Sequence, residues 1–88
     1  MYKIVLHKRA KKQLRKLPRA DQIKITKTIK KLAINPLNFE LNVKAYKKES
    51  KTYRVRKGNL RIIYYFNQKT HTIFIDYLGH RGNMYRLF

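Results

Sequence analysis

The sequence predicts an α+β domain of order β-α-α-β-β-β, a mostly antiparallel sheet with an N-terminal helical hairpin packed on one face. Three features carry that expectation. Apolar residues recur at helical spacing in two early segments, each closed by a proline. Residues 53 to 88 switch to β-branched and aromatic runs, and Gly58-Asn59 parts two of those runs as a hairpin loop would.

In chain order, residues 2 to 7 alternate Tyr2, Ile4 and Leu6 against Lys3, Val5 and His7, a strand with one apolar face. From Lys8 to Leu17, Ala10, Leu14 and Leu17 fall at i, i+4 and i+7 with Lys and Arg opposite, a short amphipathic helix that Leu17-Pro18 ends. A second helix starts near Pro18 to Asp21, where proline suits a first turn and aspartate a cap. It runs through Ile25, Ile29, Leu32 and Ala33 until Asn35-Pro36 stops it. Residues 37 to 52 show no clean period and carry Lys44, Lys47, Lys48 and Lys51, so a loop is expected there. Tyr53 to Lys57, Leu60 to Phe66 and Thr72 to Leu78 read as strands, followed by a glycine-containing tail from Gly79 to Phe88.

At 88 residues, residues 1 to 88 are expected to form one domain with a modest core, so any active site is open and shallow. Apolar residues make up 43% of the chain, with seven Tyr and four Phe, which is the content of a folded protein rather than of a basic tail. Twenty-three Lys and Arg against four Asp and Glu give a formal charge of +19, whose self-repulsion points to a polyanionic partner. Nucleic acid and an acidic protein both satisfy that demand. A membrane does not, because no stretch approaches the ~20 apolar residues of a span. With no cysteine, no thiolate nucleophile, thiolate metal site or disulfide can form. Met1 to Leu6 lack the apolar core of a signal peptide, so a cytoplasmic location is expected.

If Gly58-Asn59 is a two-residue loop, Lys57 faces Leu60, Arg56 faces Arg61, Val55 faces Ile62 and Arg54 faces Ile63. Opposed residues share a face, as do i and i+2, so Arg54, Arg56 and Arg61 emerge together while Tyr53, Val55, Leu60, Ile62 and Tyr64 turn toward the helices. Directly opposed like charges destabilise a strand pair, which an anion would offset. The choice of base sharpens the point. Residues 1 to 52 contain thirteen Lys and three Arg, whereas residues 53 to 88 contain two Lys and five Arg. Lysine spreads charge over a solvated surface; arginine grips phosphate with a planar fork and stacks on bases. The C-terminal half is therefore the expected contact site, with Lys44, Lys47, Lys57 and Arg86 adding nucleic-acid-backbone contacts around it.

The segments YRVRKGNLRIIY (53 to 64) and GHRGNMYR (79 to 86) resemble the signature segments of the RelE/ParE toxin superfamily. The resemblance spans the chain, including the short first strand, the helical hairpin with its Leu-Pro break, and the closing strands. It implies a RelE-like fold and the toxin of a toxin-antitoxin module: a ribosome-dependent endoribonuclease that cuts mRNA in the A site and is neutralised by a cognate acidic antitoxin. Carried over residue by residue, the catalytic cluster falls on Arg54, Arg56, Arg61, Arg81 and Tyr85, with His80 adjoining. Arg61 and Arg81 match phosphate-gripping arginines, and Tyr85 matches an aromatic that stacks on the substrate base.

Attack of a 2′-hydroxyl on its own 3′ phosphate needs alignment, charge stabilisation and proton transfer, and no cofactor or metal. Arginines serve the second demand but stay protonated, so they are poor bases. Some RelE-type members carry Lys where this chain has Arg54 and Arg56, and toxins of the YoeB kind place a Glu near the position of Lys44. Within the signature segments that leaves His80, the one group that titrates near neutrality, as candidate acid or base. It could instead only pack at a strand end. Asp76 is expected in a structural ion pair. A gyrase inhibitor of the ParE kind and a non-catalytic nucleic-acid or antitoxin-binding module remain as alternatives.

Overall fold

A computed structural model describes residues 1–47 and 51–80. The elements are β1 (Lys3–Leu6), α1 (Lys8–Lys16), α2 (Arg19–Ile34), a 3-10 turn (Phe39–Leu41), β2 (Lys44–Lys47), β3 (Thr52–Lys57), β4 (Leu60–Asn67) and β5 (Thr72–His80). The order differs from expectation in one segment: residues 37 to 52 hold a 3-10 turn and a further strand rather than a loop. β2 pairs antiparallel with β3 at the sheet edge, and its register shifts between Ala45 and Lys47. Lysines and a bulge are common devices on edge strands, and here they hide the period-two pattern from the sequence.

The five strands form one sheet in the order β1-β5-β4-β3-β2. β2 to β5 are antiparallel, and β1 joins β5 in parallel, with Ile4 opposite Ile73 and Leu6 opposite Ile75. The helical hairpin makes this crossover and lies on one face. There Ala10, Ile25, Ile29 and Leu32 meet Val55, Leu60, Ile62, Tyr64, Ile73, Ile75 and Leu78, and Tyr2, Ile4, Leu6, Leu14 and Leu17 pack around them. Every helical position read from the spacing thus reaches the core. The hairpin is tied by Gln22, whose side-chain amide donates to the carbonyl of Leu14 at 3.0 Å, a carbonyl in the last turn of α1.

β1 stops at Leu6, so the outer edge of β5 beyond Ile75 would lack a strand partner. Helix α1 takes over. The His7 amide donates to the Ile75 carbonyl at 2.9 Å. The Arg9 Nε donates to the Asp76 carbonyl at 3.1 Å, and the Leu78 amide donates to the Gln13 side chain at 3.0 Å. The expected Asp76 ion pair is present, with Arg9 Nη2 at 3.1 Å. Among the described residues no helix is long and apolar enough to cross a membrane.

Candidate nucleic-acid interface

The β3–β4 hairpin has the register that its loop residues require. Gly58 takes φ +61, the left-handed sign demanded of the first residue in a type II′ loop. The pairs are Tyr53 with Tyr64, Arg54 with Ile63, Val55 with Ile62, Arg56 with Arg61 and Lys57 with Leu60. Val55, Ile62 and Tyr64 are buried toward the helices. Arg54, Arg56 and Arg61 therefore share the opposite face.

That face is laid out in rows across the sheet. Gly79, Arg61 and Arg56 form one row, and Tyr77, Ile63, Arg54 and Lys44 form the next. Lys44 thus stands directly across from Arg54, joining the cluster through the strand that the sequence pattern concealed. Ile63 and Tyr77 are buried in a small second cluster with Tyr46, a floor for the cations around them. Arg54, Arg56, Lys44, Asn42 and Gly58 line a groove of about 480 Å³. The three arginines are not equally open: Arg56 is exposed and Arg54 half-buried, but Arg61 is only 5% accessible. Arg56 lies beyond the end of β2, whose pairing with β3 begins at Lys44 opposite Arg54, so it stands at the open rim while Arg61 lies between β3 and β5.

Two expected members face elsewhere. His80 pairs with Leu60, so it points to the helical side of the sheet rather than to the arginines. There its Nε2 lies 3.3 Å from Asp21 Oδ2, in the first turn of α2. Lys57 also pairs with Leu60 and lines, with His80, Asp21 and Lys24, a separate cleft of about 240 Å³ on that side. Lys57 lies there by the hairpin register itself, whereas for His80 the cause is a bulge: Ile63 faces Tyr77 while Tyr64 faces Ile75, so Asp76 is an extra residue that inverts the alternation of β5. Lys47 lies in β2 with its side chain outside what the structure describes, and Arg81, Tyr85 and Arg86 lie outside the described residues.

Sequence reasoning missed the pairing of Lys44 with Arg54 and the position of Tyr46 beneath the cations. The spacing Lys44-x-Tyr46 alone carries a period-two signal, too short to identify a strand.

The comparisons with known proteins agree with this architecture. Residues 4–85 match the family described as ParE toxin of type II toxin-antitoxin system, parDE. The chain is 30% identical over 86 residues to RelE1 of Methanocaldococcus jannaschii, a protein named as a toxin, covering 97% of this chain and 96% of that one. Its fold superposes on a crystal structure of the archaeal RelE-RelB complex from Pyrococcus horikoshii with a TM-score of 0.80 and 30% identity, over 92% of this chain and 96% of that one. The RelB-RelE antitoxin-toxin complex from Methanococcus jannaschii gives a TM-score of 0.78 at 28% identity, over 96% and 98% of the two chains. The chain belongs to the ParE toxin family of type II toxin-antitoxin systems, within the RelE/ParE toxin superfamily.

Proposed function

We propose that this toxin is an endoribonuclease of the RelE type, cutting mRNA in the ribosomal A site, and that an acidic antitoxin holds it inactive. The observation that carries the reading is the shared face of Lys44, Arg54, Arg56 and Arg61, a set of phosphate-matched cations over an apolar floor. The proposed reaction moves the 2′-oxygen onto the adjacent phosphorus and releases the 5′-oxygen of the next nucleotide. The products are a 2′,3′-cyclic phosphate and a 5′-hydroxyl, with one proton leaving the attacking hydroxyl and one reaching the leaving oxygen. Negative charge grows on the non-bridging oxygens as the bond forms. Removing a preorganised donor at such a position costs about 2.7–4 kcal/mol of transition-state stabilisation.

Arg54, Arg56 and Arg61 take that role, with Arg81 as a further phosphate ligand and Tyr85 as the base-stacking aromatic that the family resemblance implies. His80 is assigned a positioning role: its contact with Asp21 ties the end of β5 to α2 one residue before Arg81. The antitoxin partner rests on the two similar toxins solved as complexes with RelB and on the +19 charge, which an acidic chain neutralises. A gyrase-inhibiting reading is favoured by one finding, the match to the family described by its ParE member.

A translation-dependent cleavage assay separates these readings. Wild type should cut ribosome-bound mRNA, Arg56→Ala and Arg81→Ala should each slow cutting by roughly two to three orders of magnitude, and Asp21→Asn should act more weakly. Intact mRNA with wild type, together with inhibited DNA supercoiling, would replace this reading with the gyrase one.

A further inference from the structure

The sheet face that carries the arginines continues past them. Beyond the row of Tyr77, Ile63, Arg54 and Lys44 comes a third row, in which Val5 pairs with Phe74 and Phe74 with Tyr65. Tyr65 and Phe74 are stacked, with ring centroids 5.0 Å apart and planes 16° from parallel. His7 joins from the end of β1. Its ring lies 6.4 Å from Phe74 at 29°, and its Nε2 hydrogen-bonds the Tyr65 hydroxyl at 2.9 Å. His7, Tyr65 and Phe74 are half-buried and Val5 is 37% exposed. The apolar core lies on the opposite face, with both helices.

An open antiparallel sheet normally turns polar side chains outward. This row instead presents ordered aromatics, in line with a cationic patch on the same strands. Arg61, Ile63 and Tyr65 succeed one another at i and i+2 on β4, which puts Tyr65 about 14 Å along the strand from Arg61 at ~3.4 Å per residue. Stacked nucleotides also rise ~3.4 Å each, so about four nucleotides span that distance. Aromatics on the open face of a sheet are a general device for holding unpaired bases, and phosphates between them need the neighbouring cations. The chain's charge of +19 favours a polyanion over an uncharged partner on this surface.

We propose that Tyr65, Phe74 and His7 form a second RNA subsite that stacks an unpaired base a few nucleotides from the phosphate held by the arginines. The subsite rests on the reading of the arginine face as an RNA site. It extends the contact well beyond one scissile phosphate.

The test uses 2′-O-methyl oligoadenylates, which lack the attacking hydroxyl, in a short form of about three nucleotides and a long form of about eight. Wild type should bind the long form more tightly than the short by roughly 5- to 100-fold, the worth of one stacked base. Phe74→Leu and Tyr65→Leu keep apolar bulk but lose the ring. They should erase that gain and leave the short form's affinity unchanged, with circular dichroism reporting an intact fold. A gain that survives both variants overturns the subsite, and so does an equal loss on both lengths. Unchanged RNA affinities with weakened binding of an acidic helical peptide would make the row a protein-docking surface and overturn it as well. If the short form binds, Arg56→Ala abolishes that binding and the long form gains nothing, the endoribonuclease reading stands while the subsite falls. Failure of both lengths to bind overturns the subsite, and the translation-dependent cleavage assay then decides the endoribonuclease reading separately.

Discussion

Tyr64 is fully buried at the centre of the core, and its hydroxyl donates to the carbonyl of Pro36, just beyond α2. That bond fastens the end of the helical hairpin to the middle of the sheet. Burial, with the Tyr53 phenol beside it, pushes the Tyr64 hydroxyl well above the usual phenol range, because the phenolate would be desolvated. A raised acid contributes stability that is complete below the unfolded value near 10 and is lost as pH climbs toward the folded one. Urea unfolding measured from pH 7 to 11 should therefore show stability falling above about pH 10. Tyr64→Phe should cost about 1–3 kcal/mol at pH 7, because it strands a carbonyl, and should make the alkaline fall shallower. Tyr77, raised by burial and partly offset by Arg9, leaves a residual slope. Gly79 poses a different constraint. Its φ of +153 excludes side chains by backbone conformation, although a Cβ there would meet only ordinary contacts with the Tyr77 ring. Gly79→Ala should lower stability by about 1–3 kcal/mol in thermal unfolding, through strain rather than a clash.

At the scale of the element, the β3–β4 hairpin sets stability against binding. Arg56 and Arg61 are directly opposed like charges, and one of them is buried. Arg56→Thr removes the repulsion and introduces a better strand former, so it should raise stability by about 0.2–1 kcal/mol while weakening RNA binding. Denaturation and affinity measured on the same variant check both directions; a variant that loses stability as well as affinity would show that the arginine supports the fold. The edge of β5 has a complementary solution. Where β1 is too short, Arg9, Gln13 and the His7 amide supply the missing partners, so α1 serves the sheet as well as the core.

For the whole molecule, charge is the governing quantity. A formal +19 sits on a body with principal extents of 33 × 26 × 26 Å, more than three times the ~8 Å Debye length at physiological salt. The lysines of α1 and α2 are therefore largely screened from the opposite face at that salt and act on encounter from their own side, while the arginine face makes the close contacts. Affinity for single-stranded RNA should fall linearly on a log-log plot against salt, with a slope of about −0.7 per phosphate neutralised. Arg56→Ala should reduce that slope by about 0.7, whereas Lys30→Ala on the helical side should slow association and leave the slope nearly unchanged. Equal effects of the two variants on the slope would show a diffuse charge surface without a defined phosphate site.

Local period and turn chemistry can be read from the order of residues alone. The helices, their proline stops, the hairpin register and the common face of Arg54, Arg56 and Arg61 were all legible, because residues within a few positions of one another set them. Three other features depend on how distant segments pack. Lys44 stands beside Arg54 because an edge strand, disguised by lysines and a bulge, pairs there. His80 faces Asp21 because one extra residue, Asp76, inverts the alternation of β5, and an unbroken alternation from Ile73 would have set it among the arginines. Arg61 is buried although Arg56 directly opposite it is exposed, a difference that their shared register and face do not reveal. Short-range pattern specifies which face a residue occupies within an unbroken strand; bulges and strand order are settled by packing across the sheet.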